Sequence, residues 1–345
     1  MRRTETPVKV LKITGLGRSG STVLDVVLGN HPRIESVGEV GNLIRTGWIS
    51  RGSLRGIDQK RLRVPLCTCG KRLDVPYVES ADEACPFWSG VRREWVGRAD
   101  PDGIEGYPKL QNDFELKRRL PRLVYERRGP SAAFRSYAGL TRAFFESIRA
   151  VSGKPVVVDS AMVPVRTFAL GMVPGMDLYA VHLVRDGRGV ITSHRRSFEK
   201  DIQAGTTPDH DGLAHRKTIV RRRVLYLVSV ARWVVLNLVS EWVCVRLGPN
   251  RAMRLRYEDL VADPRSALGR IGSLIGLDLT EVASSASSGE PMHAGHNVGG
   301  NRTKKSGTIT LRADEQEWRS ALSAREQWLS WALMGWLMRR YGYER

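Results

Sequence analysis

The sequence predicts an α/β fold of three layers, a central parallel sheet covered by helices. Three observations carry that prediction. Short β-branched runs alternate along the chain with segments of helical period. The first such run, VKVLKIT at 8–14, feeds directly into the glycine-rich GLGRSGST at 15–22. Arg18, Asp159, Ser160, Arg185 and Tyr257 all fall just after predicted strand ends. Alternating strands and helices make a parallel sheet with both faces covered, and such sheets bind ligands outside the carboxyl ends of their strands.

The elements follow in chain order. After the strand at 8–14, an apolar stripe runs from Ser21 to Leu28 and stops at GNHP, where Gly29 and Pro32 end a helix. The loop between them sits at a helix N-terminus, where backbone N–H groups and the helix dipole favour an anion. It nearly matches the phosphate-binding pattern G-x-x-x-x-G-K-[ST]. Gly15, Gly20 and Thr22 fit, Ser21 stands where Lys belongs, and the positive charge has moved to Arg18. The fold is therefore P-loop-like, but the missing Lys argues against an ATPase or kinase, which places it on the β- and γ-phosphates.

Residues from about 45 to 130 are rich in Arg, Pro and Gly with weak periodicity, and are expected to form a variable insertion rather than a second core. Tyr137, Leu140, Phe144, Ile148 and Val151 recur at helical spacing. KPVVVDS is expected as a buried strand ending at Asp159–Ser160, and DLYAVHLVRDGRGV as a strand running out at Arg185 into a helix through VITSHRRS. AMRLRYEDL supplies one more strand, ending near Tyr257. Helices are expected at 264–276 and 314–340, and a mobile basic loop at about 283–310. No internal repeat is visible, and residues 1–345 are expected to form a single domain.

A net charge of +19 favours anionic partners: nucleic acid, a membrane surface or a ligand carrying several phosphates. No aromatic-basic recognition module accompanies it, so no specific nucleic-acid partner is expected. No signal peptide is visible at MRRTETPVKVLKITG, and no transmembrane segment is expected. Residues 224–247, interrupted by Arg232, Asn237 and Glu241, are expected as a buried amphipathic helix. The expected compartment is the cytoplasm, with peripheral membrane contact left open. Cys67, Cys69 and Cys85 make C-x-C-G and then CPFW, with no paired C-x-x-C and no nearby His, so a local structural cluster is expected and no metal. With Cys244 they belong to a reducing compartment, which argues against a permanent disulfide.

A second anion site is suggested by LVRDGRGVITSHRRS. Arg185 leaves a strand and Ser193 lies eight residues on, two turns into the following helix. A guanidinium fork with a hydroxyl suits a phosphate monoester. VVVDS is the best candidate for a magnesium-binding strand, but it offers one Asp followed by Ser.

The chain resembles the PAPS-dependent sulfotransferases, particularly bacterial members related to those acting on carbohydrates and protein tyrosine. The resemblance rests on GLGRSGSTVLDVVLGNHP, VGEVGNL, CTCG…CPFW, VVVDS, HLVRDGRGVITSHRRS, RYEDL and GNRTKKSG, in family order across most of the chain. It implies transfer of a sulfuryl group from PAPS to a hydroxyl, releasing PAP, with no metal required. The acceptor would be a small molecule, a carbohydrate or a specialised metabolite. It further implies that Gly17, Arg18, Ser19, Gly20, Ser21 and Thr22 cradle the 5′-phosphosulfate, and that Arg185 and Ser193 hold the 3′-phosphate. Tyr257 would lie near the adenine, and a basic loop containing Asn301, Arg302, Lys304 and Lys305 would close over the donor. Arg18 would neutralise charge developing on the bridging oxygen. Glu39, 21 residues after Arg18, matches a Glu that serves as general base in the tyrosine-directed enzymes. His31 is expected as a turn or cap residue, and His194 as a weaker candidate base. Where relatives often have DSSK this chain has DSAM, so Met162 replaces a Lys. The alternatives are a nucleotide-dependent kinase, which would bind ATP with magnesium, and a nucleic-acid-binding protein, whose binding would fall steeply with salt.

Overall fold

The computed structural model describes residues 6–43, 67–73, 83–99, 101–116, 119–203, 214–299, 307–311 and 316–345. The first half runs β1 (Val8–Gly15), α1 (Ser21–Gly29), β2 (Ile34–Ser36), α2 (Val40–Leu43), α3 (Pro86–Arg98), α4 (Pro101–Glu115), α5 (Leu120–Glu126), α6 (Ala132–Ser152), β3 (Val156–Asp159) and α7 (Pro164–Leu170). The second half runs β4 (Met176–Val184), α8 (Gly187–Gln203), α9 (Ala214–Leu247), β5 (Ala252–Arg256), α10 (Tyr257–Ala262), α11 (Pro264–Ile275) and α12 (Thr280–Ser288). It ends with β6 (Met292–His293), β7 (Thr308–Ile309), α13 (Trp318–Ala321) and α14 (Ala324–Arg340).

The central sheet has the order β2-β3-β1-β4-β5, with every pairing parallel. The predicted three-layer α/β fold is thus the observed one. β1 lies in the middle and is buried on both faces. Its side chains alternate with period two: Val8 and Val10 enter one core with Val157 and Leu178, whereas Leu11 and Ile13 enter the other with Val158 and Val181. The first core is closed by helices including α3, α4, α6 and α7, and the second by α1, α10, α11 and α12. The chain leaves β1 toward β2 on one side and later places β4 on its other side. The strand order therefore reverses between β1 and β4, where open α/β sheets bind their ligands.

Local chemistry sets several element ends. Ser131 caps α6 by accepting the Phe134 N–H, and Gly153 ends that helix in the left-handed region. Asp263 caps α11 ahead of Pro264. The helix expected over 314–340 is instead two, because Ser323 and Glu326 form a reciprocal cap that starts α14 afresh after Leu322.

Three expectations need correction. From Pro86 the described part of the 45–130 insertion is largely helical: α3 and α4 place Trp88, Trp95, Tyr107 and Phe114, all fully buried, in the first core. Large aromatics separated by Arg and Gly give little apolar periodicity, yet each buries a great deal of area. Residues 283–299 are not a loop throughout, since α12 extends to Ser288 and β6 pairs antiparallel with β7. Finally, α9 is not a buried amphipathic helix. Val224–Leu247 is long and apolar enough to cross a membrane by length and composition, with a third of that stretch buried. Val224, Leu227, Val228, Val235 and Val245 are exposed, while Asn237 and Ser240 are buried. Its polar residues have inward partners: the Asn237 side-chain oxygen bonds His182 Nε2 at 3.0 Å, and Ser240 Oγ donates to the Leu236 carbonyl.

Candidate active site

The glycine-rich loop joins β1 to α1 at the carboxyl edge of the sheet. Gly20 stands at φ 89° as the N-cap of α1, and no side chain caps that helix. A Cβ on Gly20 would lie 2.2 Å from Cδ2 of Tyr257, so both backbone conformation and ring contact demand glycine. A Cβ on Gly17 would meet nothing within 4 Å, which leaves open space over the loop. Arg18, a non-glycine residue, is held at φ 76°. Ser19 is fully buried, and its Oγ has no hydrogen-bond partner among the described residues. An uncapped helix start, an open floor and an orphaned hydroxyl are the features of a cradle that fits an anionic group.

Arg18 projects toward α8, where its guanidinium donates to Ser197 Oγ at 2.6 Å. Arg185, one residue beyond β4, donates to the Arg18 carbonyl at 3.3 Å and lies 4.9 Å from the centre of the Tyr257 ring. Tyr257 opens α10 directly after β5. The fold thus brings Gly20, Arg18, Arg185 and Tyr257 from three parts of the chain into one cluster. Beside it, Arg185, Thr192, Ser193, Arg196, Glu317 and Trp318 line a cavity of about 110 Å³. The predicted Arg185–Ser193 pairing therefore shares one small polar cavity, next to the loop.

Glu39 lies just beyond β2, immediately before α2, at the same edge of the sheet. Its N–H donates to the Val298 carbonyl at 2.7 Å, and its side chain packs against Gly299. Asn301, Arg302, Lys304 and Lys305 lie outside the described residues. His31 behaves as expected of a turn residue: Nδ1 accepts the Arg33 N–H and Nε2 bonds the Asp278 carbonyl. His194 bonds Ser229 through Nδ1, and burial, with Arg232 and Arg18 nearby, pushes it down to about 4.

Behind the loop lies a second charged cluster. Lys12, fully buried on β1, places Nζ 3.2 Å from Asp159 Oδ1 and donates to the Ala161 carbonyl beneath the DSAM segment. Arg166 donates from Nε to Asp159 Oδ2 at 2.9 Å and from its fork to Glu115, which also accepts from Tyr137 at 2.9 Å. Burial opposes ionisation of Asp159, but Lys12 and Arg166 hold it below the usual carboxylate range. Burial lowers Lys12, and it raises Glu115 despite Arg166. With two cations and the Ala161 N–H on it, the Asp159 carboxylate is fully engaged. Met162 packs its methyl toward Gly15 instead of presenting a charge.

Sequence reasoning missed Ser197, Arg196, Glu317, Trp318 and the Lys12–Asp159 pair. Ser197 was legible in principle, four residues after Ser193 and so on the same face of α8. Lys12 was also visible, as a charge in the middle of a buried strand. Glu317 and Trp318 reach the cavity from 124 and 125 residues beyond Ser193, and no local pattern announces them.

Residues 177–281 match a family model described as "Sulfotransferase family". That span holds Arg185, Ser193 and Tyr257 but not the glycine-rich loop. Among solved structures, the chain is similar to the sulfotransferase domain of the Synechococcus PCC 7002 olefin synthase, at 20% identity over 99% of this chain and 98% of that one, with a TM-score of 0.45. It is similar to the sulfotransferase domain from the curacin biosynthetic pathway at 16% identity over 98% of both chains, TM-score 0.48. It is also similar to sulfotransferase STF1 from Mycobacterium tuberculosis H37Rv at 18% identity, over 81% of this chain and 70% of that one, TM-score 0.42. A search of curated proteins finds no match.

Proposed function

We propose that this chain, whose residues 177–281 match a sulfotransferase family model, moves the sulfuryl group of PAPS to a hydroxyl of a small-molecule, carbohydrate or specialised-metabolite acceptor and releases PAP. The observation that carries this reading is the position of Arg185. It touches the loop through the Arg18 carbonyl and lines the cavity that holds Ser193. Two anion subsites therefore adjoin through one guanidinium, which suits a nucleotide charged at both its 5′ and 3′ positions.

In this mechanism the loop from Gly17 to Thr22 receives the 5′-phosphosulfate, and the Ser19 hydroxyl finds its partner there. Arg185 and Ser193 hold the 3′-phosphate, and Tyr257 borders the adenine. Asn301, Arg302, Lys304 and Lys305, which lie outside the described residues, are the residues the resemblance assigns as further donor contacts. The acceptor oxygen attacks sulfur in line while the bond from sulfur to the bridging phosphate oxygen breaks. Glu39 takes the acceptor proton, and Arg18 stabilises the charge that grows on the departing oxygen. The Asp159 carboxylate, occupied by Lys12 and Arg166, gives the kinase alternative no magnesium ligand on β3. The free cysteines suit a reducing compartment, and we place the reaction in the cytoplasm, with the exposed apolar stripe of α9 as the region for any peripheral membrane contact.

Calorimetry of the full chain with PAP, ADP and ATP, each with and without magnesium, tests the reading. Binding that needs the 3′-phosphate and ignores magnesium is the expected result. Magnesium-dependent ATP binding that is indifferent to a 3′-phosphate would overturn it.

A further inference from the structure

Away from the donor site, the fold assembles a second group of reactive side chains. Cys67, Cys69 and Cys85 meet His296, and one ligand atom from each lies within 4.8 Å of all the others. The spacing of the cysteines gave no ligating histidine, and the expectation of a cysteine cluster without one is corrected here. His296 arrives from 211 residues beyond Cys85. Its Nδ1 stands 3.4 Å from Cys85 Sγ and 3.7 Å from Cys67 Sγ. Tetrahedral zinc, with Zn–S about 2.3 Å and Zn–N about 2.0–2.1 Å, sets its sulfur and nitrogen ligands about 3.6 Å apart. Three thiolates and one imidazole make a closed soft-ligand set of the kind that selects zinc.

The surroundings are built to aim these ligands. The Cys67–Gly70 turn closes with the Gly70 N–H on the Cys67 carbonyl, and Gly70 stands at φ 85°. Cys85 is held by its N–H on the Arg72 carbonyl. Phe87 stacks on the His296 ring, with centroids 5.2 Å apart and planes 9° from parallel, and the Trp88 indole N–H donates to the His296 carbonyl at 2.8 Å. Thr68 Oγ1 donates to the Gly295 carbonyl and accepts the Asn297 N–H. Such outer contacts fix the orientation of metal ligands.

We propose that Cys67, Cys69, Cys85 and His296 bind one structural zinc ion that staples the 67–73 turn and the start of α3 to the 294–298 segment. Three thiols lose their protons to solvent and the imidazole binds neutral, with no open position left for water. The staple acts next to the donor site without belonging to it. Asn297 accepts from Ser36 Oγ at the end of β2, Val298 receives the Glu39 N–H, and the basic segment from Asn301 follows directly. Zinc would thus set the position of Glu39.

The test is the metal content of the full chain purified under reducing conditions without added metal, followed by cobalt replacement. The expected result is about one zinc per chain, with the absorption of tetrahedral thiolate-bound cobalt after exchange. Cys67→Ser, Cys85→Ser and His296→Ala should each lose the zinc, and Cys244→Ser should keep it. Should those variants fail to fold, zinc released from the wild-type chain by a mercurial thiol reagent, followed with a chromogenic chelator, gives the same count. Wild-type chain free of zinc, a Cys67–Cys85 disulfide in the unreduced protein, or equal loss of zinc in Cys244→Ser would each overturn the proposal. None of these readouts depends on PAP binding, so this inference and the sulfotransferase reading fail separately.

Discussion

Two charged clusters flank β1, and their contrast separates structure from chemistry. Behind the loop, Lys12, Asp159, Arg166 and Glu115 are buried, and each charge meets an opposite partner within hydrogen-bond reach. In front, Arg18 and Arg185 gather at a helix start beside a buried, unpartnered Ser19 hydroxyl and a polar cavity. The charges in the first cluster already have their counterions within the chain. The second offers an uncapped helix start and, in Ser19, a buried hydroxyl with no partner among the described residues, which a ligand would complete. Burial of charge alone would point to the rear cluster, whose Lys12, Asp159, Arg166 and Glu115 are all buried.

The largest expected effect breaks the rear cluster. Arg166→Leu leaves Glu115 buried without its cation and removes one of two from Asp159. Loss of a partner from a buried pair costs about 3–5 kcal/mol. Denaturant unfolding should show that loss, and an unchanged midpoint would mean the cluster contributes nothing.

At the front, the same kind of substitution should spare stability and remove turnover. Arg18→Ala is expected to lower kcat by about 10²–10³-fold with little change in melting temperature. Glu39→Gln should lower kcat by a comparable or larger factor, about 10²–10⁴-fold, and leave PAP affinity intact. Full activity in Glu39→Gln would move the base elsewhere, with His194 next in line because it is already neutral and close to Arg18.

An intermediate effect concerns pH. His182 is buried against Asn237, and burial depresses it from 6.5 to about 4. The unfolded chain therefore binds its proton first as pH falls. Stability should be full above about pH 6.5 and decline toward pH 4, by at most about 3 kcal/mol from this group. His182→Gln should flatten that part of the stability profile, and a profile as steep as wild type would exclude His182 as its source.

The smallest effect sharpens the comparison within the front cluster. Glu317 pairs with Arg196 at the rim of the Arg185–Ser193 cavity, both about half exposed. Glu317→Gln frees Arg196 and removes a negative charge from a site proposed to take a phosphate. PAP should bind a few-fold more tightly, a change in line with the ~0.2–1 kcal/mol of an exposed pair. Weaker binding would show that Glu317 orients Arg196 rather than occupying it.

Periodicity and local pattern were enough to locate four of the five central strands, β1, β3, β4 and β5. They also marked α6 and α11, and the cradle before α1. β-branched runs and a glycine-rich turn are properties of neighbouring residues, so they survive in one dimension. For the same reason Arg18, Arg185 and Tyr257 were legible, each just past a predicted strand, and Ser193 by its spacing from Arg185. The three-residue β2 was too short to show a period. The aromatics of α3 and α4 were hidden among Arg and Gly, because their burial depends on α6 and not on their neighbours. Only the tertiary structure decided that Asp159 faces Lys12 and Arg166, that Glu317 and Trp318 close the Arg185 cavity, and that His296 completes the cysteines. These contacts join residues far apart in the chain, and packing of whole elements, which no short window of sequence contains, is what brings them within bonding distance.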